Sequence, residues 1–400
     1  VVTALIFIGA YAIVAVGRVP FLRIDRTGAA LVGAVLMVVT GAIDLDAAAR
    51  AVDIRTIVLL FSMMIIVAYL RLAGGLAAFA GFVGRRIVEP RMLVVALVVT
   101  AGALSALFVN DTICLVFTPI VLEMADARGQ RPLPYLLALA TASNIGSAAT
   151  LTGNPQNILI GTVSGMSFAH FAQTLAPLSL VCLAIDALLI CVIFRRDLRA
   201  SHVPVVAPRP VRVHGTLLAK TLLVIAGVLL GFLAGYETAT VAAAGAAALL
   251  VTRRVRPRKI YAAIDWDLLM LFVGLFVIAG AGERAGFDAR LFEWLRPLGV
   301  TTIAGLSVTA AVLSNTISNL PAVMLFTKLV PRLPNPDVSW LALAMSSTFA
   351  GNVTILGSIA NLIVVEGARR KGVRIGFWDY ARVGMPLSAL TIVAGILWLR

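Results

Sequence analysis

Long apolar stretches alternate along the chain with polar interruptions of two kinds. Charged interruptions fall between stretches, as with Arg18, Arg23 and Arg26, the segment Arg195 to Lys220, and Arg253 to Lys259. The others are nearly uncharged, rich in Asn, Ser, Thr, Gly and Pro, and lie inside stretches that would otherwise read as membrane spans. They are FVNDTICLVFTPI at 108–120 and TASNIGSAATLTGNPQNILI at 141–160. At about 1.5 Å per residue, an apolar helix of about 20 residues crosses a hydrocarbon core of about 30 Å. Spans are expected at 1–19, 27–43, 55–72, 173–194, 217–234, 238–252, 266–282 and 384–399, with broken spans at 133–163 and 339–365. Non-helical backbone at bilayer depth persists only where it is buried in protein or lines a wet cavity, so the breaks point to a binding site. Gly, Ser and Thr also mark tight helix contacts in membranes. A second copy of the pattern decides between these readings.

That copy is LSNTISNLPAVMLFT at 313–327, followed by LALAMSSTFAGNVTILGSIANLIVV at 341–365. A shift of 209 residues puts Asn110 on Asn319 and Ser105 on Ser314; a shift of 204 puts Ser143 on Ser347, Thr150 on Thr354, Gly153 on Gly357 and Asn157 on Asn361. Upstream, a shift of 212 matches Asp53 to Asp265, Leu59 to Leu271 and Gly74 to Gly286. Paired interrupted segments in two related halves are the sequence mark of a secondary transporter.

The segments Gly74 to Glu89 and 287–297 read as interfacial helices. Residues 92–124, with Asn110-Asp111-Thr112 at the tip, and 301–331 read as re-entrant hairpins, the arm 113–124 being too short to cross. The expected fold is therefore an all-α polytopic membrane protein of two inverted repeats, each with five transmembrane helices, a re-entrant hairpin and one broken helix. Residues 1–200 form the first repeat, 201–216 a cytoplasmic linker containing Pro204, Pro208 and Pro210, and 217–400 the second. An odd number of crossings per half forces the inversion.

Composition agrees: 60% of residues are apolar, 13% are charged, and mean hydropathy is +1.01. With the N-terminus outside, inward loops collect 25 of the 33 Lys and Arg, whereas acidic residues divide nine inside and eight outside. This is the positive-inside bias of a cell-membrane protein, with both termini outside, rather than a nucleic-acid surface. No cleavable leader is evident, and the chain starts at Val1, as expected of a sequence lacking its native first residues.

Carbonyl and amide oxygens at a broken helix suit a hard cation such as sodium, and N–H groups at half-helix N-termini suit an anion. The candidate substrate- and ion-binding residues of the first half are Asn110, Asp111, Thr112, Ser143, Asn144, Gly146, Thr150, Gly153, Asn154 and Asn157. Those of the second are Ser314, Asn315, Thr316, Ser318, Asn319, Asn352, Thr354, Gly357 and Asn361. The segments NDTICLVFTPI, SNIGSAATLTGNPQN and SNTISNLPAVMLF resemble the signature segments of the ion transporter superfamily, which includes divalent-anion:sodium symporters, citrate transporters, arsenite permeases and some sodium/proton antiporters. The resemblance implies sodium at the tip residues Asn110 and Asn319, substrate at the Gly153-Asn154-Pro155-Gln156-Asn157 turn, and a homodimer. Val109 and Asp111 depart from the Ser-Asn-Thr tip of the divalent-anion branch, and Asn-Asp resembles arsenite permeases more closely. In the second half, Ser314-Asn315-Thr316 and Ser318-Asn319 compete for the tip.

Asp111 is the coupling candidate, since a carboxylate at bilayer depth costs about 2.5–3.5 kcal/mol on insertion scales unless it is protonated, paired or wet. Asp186, without Asn or Gly neighbours, reads as structural, and Cys114 as a small core residue. No Lys or Arg is expected near either hairpin tip, Lys328 falling toward a loop, so a bound anion is expected to rely on N–H groups, hydroxyls and the coupling cation. No nucleotide-binding loop, nucleophile–base set or transition-metal spacing occurs in a span. The expectation is a non-enzymatic secondary transporter in the lipid bilayer. It moves a small anion, organic or oxyanion, coupled to Na+ or H+ and without cofactor. Arsenite or antimonite efflux by proton antiport and Na+/H+ exchange are the alternatives.

Overall fold

A computed structural model describes residues 2–19, 24–87, 89–199, 213–251 and 255–400. Residues 201–212 of the expected linker, together with Val1, Arg23, Arg253 and Arg254, lie outside the described residues. The described chain is helical apart from loops and a two-residue antiparallel ribbon pairing Arg18–Val19 with Ile24–Asp25.

Among the described residues, six helices are long and apolar enough to cross a membrane: Ile54–Leu72, Pro90–Leu107, Phe168–Ile193, Gly215–Leu233, Trp266–Arg284 and Phe377–Trp398. The helix Phe287–Leu298 and the helix Ile303–Ile317 meet at 114° and together pass as a seventh. Three further expected spans are shorter apolar helices, Val2–Val16, Arg26–Val39 and Thr238–Leu250. Arg26–Val39 starts where Asp25 caps it, accepting from Gly28 N–H at 2.7 Å, and is short because it ends at Thr40, before Gly41 with φ 72°; Arg26 lines the central cavity. The arm Pro90–Leu107, stopped by extended Phe108, is itself long enough to cross, whereas the sequence predicts a hairpin of two shorter arms.

Apolar side chains line the outer surface, with Leu180, Leu188, Leu223, Leu230 and Leu397 all exposed, as a bilayer requires. The centre is occupied by the broken spans. Every residue from Pro134 to Ile160 and from Ser339 to Asn352 is buried. A helix apolar on all sides belongs in such a core. Close backbone approach holds these spans in place: a Cβ on Gly146 would lie 2.1 Å from Gly102 O, and one on Gly384 would lie 2.1 Å from Asn352 O. Arg128, buried, donates to Met124 O, Gly84 O and Ile87 O, tying the helix Gly75–Arg86 to the end of Asn110–Asp126.

Ion pairs between elements join Arg55 to Glu237, Arg284 to Asp44, Lys328 to Glu283, Arg332 to Asp288, and Arg131 to Asp197. Each pair links loops that the charge count assigns to the same side.

Candidate functional site: a cavity between two hairpin tips

A helix that stops inside a protein leaves its last carbonyls without partners. At the first break, helix Leu133–Ser147 ends and Pro155–Ser164 begins after Asn154, whose Oδ1 accepts from Asn157 N–H at 2.8 Å. Asn157 Nδ2 then donates to Ser147 O at 3.1 Å and to Thr150 O at 3.0 Å. The second break repeats this arrangement: Asn361 Nδ2 donates to Gly351 O at 2.7 Å and to Thr354 O at 3.0 Å. The restarting helix Ile359–Arg370 is capped by Ser358, whose Oγ accepts from Ala360 N–H at 3.2 Å.

Each hairpin tip leans on a glycine of its own half's break. Asn110 N–H donates to Gly153 O at 3.1 Å, and a Cβ on Gly153 would sit 2.2 Å from Ser147 O. Asn319, in the amide orientation that satisfies its neighbours, donates to Gly357 O and Ser347 O, both at 3.2 Å. The turn before it forces Ser318 to φ 77° and ψ 154°, a region of strain for a residue with a Cβ. The break at Ser318 also fixes the tip register. Ser314, Asn315 and Thr316 lie inside helix Ile303–Ile317, Thr316 being exposed and bonded to Val312 O.

Asn144 ties the two halves together. Its Nδ2 donates to Asn352 Oδ1 at 2.8 Å and Asn361 Oδ1 at 3.0 Å, while its Oδ1 accepts from Asn110 Nδ2 at 2.9 Å and Ser358 Oγ at 2.9 Å. Both amide hydrogens and both lone pairs of one fully buried side chain are thereby used.

Around this hub lies a cavity of about 60 Å³ lined by Asn110, Asp111, Gln156, Ser318, Asn319 and Ser358, with Val14, Leu268 and Leu271 as apolar wall. The N-terminal ends of the helices that begin at Arg26, Asn110, Pro155, Asn319 and Ile359 border it. First-turn N–H groups have no intrahelical partner and carry the positive end of each helix dipole, so their convergence favours an anion. Arg26 lines the same cavity, which corrects the expectation that no Lys or Arg is near a tip. Nothing local in the sequence marks it, because the chain separation between Arg26 and either tip is closed only by the fold. Asp111 borders a second cavity of about 60 Å³ as well, shared with Thr112, Arg71 and Asp265.

Of the other candidates, Ser143 Oγ is 3.1 Å from Cys114 Sγ and bonded to Ala140 O, and Gly146 packs on Gly102; both sit behind the cavity. Asn315 Nδ2 donates to Ala350 O at 2.7 Å. The Oδ1 atoms of Asn110, Asn157 and Asn315 and the Oγ of Ser314 are buried without a partner among the described residues. Sequence reasoning misses Ser358, Arg26 and Ser147 as members of the site, and names Gln156 only as part of the signature turn. Gln156 sits in the signature turn without a mark of its own, and Ser147 accepts from Asn154 Nδ2 at 2.9 Å.

The sequence profile of the citrate transporter family matches residues 11–350. The chain belongs to the citrate transporter family. The transporter is 31% identical to the silicon efflux transporter LSI3 of Oryza sativa subsp. japonica, over 94% of this chain and 93% of that protein. It is 32% identical to an uncharacterised transporter of Mycobacterium bovis over 100% of this chain and 98% of that one, and 25% identical to arsB of Dictyostelium discoideum over 94% and 87%. In fold it is similar to the YdaH transporter of Alcanivorax borkumensis, a crystal structure described as having an unusual topology. The TM-score is 0.60 at 16% identity, covering 99% of this chain and 95% of that one.

Proposed function

We propose that the transporter moves a small, weakly charged anion or oxyacid by secondary active transport coupled to H+ or Na+. The observation that carries this reading is a single cavity faced by both hairpin tips, several helix N-termini, Arg26 and one carboxylate, Asp111. The dipoles and Arg26 attract an anion, and an ionised Asp111 in the same cavity repels a polyanion such as citrate more than a weakly charged species. Relatives named for silicon efflux and arsB point the same way, toward weak oxyacids. On that side stands the alternative of arsenite or antimonite efflux against protons; Na+/H+ exchange is the other. The unpartnered Oδ1 of Asn110, and the Asn319 tip with Asn315 Oδ1 beside Gly357, offer hard oxygen to a sodium ion.

The two halves are inverted repeats with termini outside, and the ion pairs sorting by side support that plan. Hydrogen bonds through Asn144 make the first tip and both breaks one body, which moves against the remaining spans to alternate access. Those remaining spans supply a homodimer face in the cell membrane.

Uptake and efflux of silicic acid, arsenite, phosphate and citrate in proteoliposomes, at varied pH and sodium, test this reading. With Asp111 as the proton carrier, Asp111→Asn loses dependence on the pH gradient yet still exchanges substrate. Unchanged pH coupling in the variant removes Asp111 from that role and leaves sodium at the asparagine tips as the coupling ion.

A further inference from the structure

Asp186 lies inside helix Phe168–Ile193, completely buried, and its carboxyl has Thr141 as its hydrogen-bond partner. Its oxygens are 2.9 and 3.0 Å from Thr141 Oγ, and the same hydroxyl is 2.8 Å from Leu137 O. A hydroxyl has one proton, and a backbone carbonyl only accepts. When that proton goes to Leu137 O, Thr141 can only accept from Asp186, which then carries a proton itself. When Asp186 is ionised, the hydroxyl must turn its proton away from Leu137 O toward the carboxylate. The same heavy-atom positions serve both states, and burial beside one hydroxyl, with no ion-pair partner among the described residues, favours the protonated one.

Thr141 also joins Asp186 to the transport cavity. Its backbone O accepts from Asn352 Nδ2 at 3.2 Å, Asn352 Oδ1 accepts from Asn144 Nδ2 at 2.8 Å, and Asn144 Oδ1 accepts from Asn110 Nδ2 at the first tip at 2.9 Å. Amides position neighbours and do not relay protons readily, so this link is mechanical: movement of the tip body moves Thr141. Around Asp186 stand Cys182 and Cys191 of its own helix and Tyr380 of Phe377–Trp398, whose hydroxyl has no partner among the described residues; Cys114 lies on Asn110–Asp126. The charges of the helices packed on it sit near their N-terminal ends: Arg91, Lys220, Asp337, Asp379 and Arg382. Tyr135 is in the first turns of the helix that carries Thr141.

We propose that Asp186 is a second protonation site of the transport cycle, remote from the cavity, holding a proton in this conformation and releasing it when the tip body moves. The Asp186 O–H bond breaks, its proton passes to water, and the Thr141 hydroxyl turns to the carboxylate. This rests on the secondary-transport reading above, and the test has an arm that does not.

The infrared carboxylic-acid C=O stretch of purified protein, shifted in D2O, should include a component absent in Asp186→Asn, kept in Asp111→Asn, and moved in frequency by Thr141→Val. In proteoliposomes, arsenite exchange by Asp186→Asn should stay within about twofold of wild type, while accumulation driven by a pH gradient falls about tenfold or more. No Asp186-dependent band, or full gradient-driven accumulation in Asp186→Asn, overturns the proposal. A wild type that moves no arsenite overturns only the choice of substrate, and the infrared arm then decides the assignment alone.

Discussion

Asn144→Asp should abolish transport, with uptake at least about a hundredfold below wild type at matched insertion. The substitution keeps the shape of the side chain and replaces its two-proton donor by an oxygen. That oxygen would sit where Nδ2 now lies, 2.8 Å from Asn352 Oδ1 and 3.0 Å from Asn361 Oδ1. Neither partner can turn its amide to compensate. Asn352 Nδ2 is committed to Thr141 O, and Asn361 Nδ2 to Gly351 O and Thr354 O. Protonation of the substituted carboxyl would satisfy only one of the two acceptors. Each buried acceptor left unpaired costs about 1–3 kcal/mol, and a buried charge costs more. Asn144→Ala should also impair transport, through lost packing and unpaired groups, but without the repulsion. Initial uptake rates and thermal melting in detergent check both. Near-wild-type rates in Asn144→Asp would show that the four bonds of this hub are dispensable.

Arg26→Gln should raise the half-saturation concentration for an anionic substrate about tenfold or more, with a smaller change in maximal rate, since about 1.4 kcal/mol corresponds to each factor of ten. Arg26 lines the cavity and belongs to neither tip, so it contributes attraction without building the tips. Arg26→Lys should recover part of the loss because it keeps the charge and loses the planar fork. The same series reads the charge of the transported species. If the substrate crosses as a neutral oxyacid, Arg26→Gln leaves its half-saturation unchanged, while a charged competitor weakens. Concentration dependence of uptake, measured for silicic acid and phosphate side by side, separates these outcomes.

The hairpin tips and broken spans are legible in the sequence because polar residues and helix breakers inside apolar runs have few structural explanations. The duplicated staple is legible too: Asn157 and Asn361 align in sequence, and each bonds the carbonyls ten and seven residues before it. Three things are not readable. The tip register of the second half depends on where the chain turns, and two Ser-Asn pairs four residues apart offer the same letters until Ser318 takes a positive φ. Arg26 reads as one of several basic residues in a loop, because only the packing of short helix Arg26–Val39 against Trp266–Arg284 carries its first turn to the cavity. Asp186 reads as an isolated acid because its partner Thr141 lies on another helix, and Asn352, which bonds Thr141 O, lies in the break of the other half of the chain.

The central claim is that one cavity, built by both halves, receives the substrate. Gln156 borders it from the first break and Leu320 from the second tip. In a background with Cys114, Cys182 and Cys191 replaced, single cysteines at Gln156 and at Leu320 can be reacted with a small thiol reagent while silicic acid, arsenite, phosphate or citrate is titrated. If the claim holds, one of these compounds slows both reactions, with half-protection at the same concentration. Protection of only one position, or of the two at clearly different concentrations, would contradict a shared site.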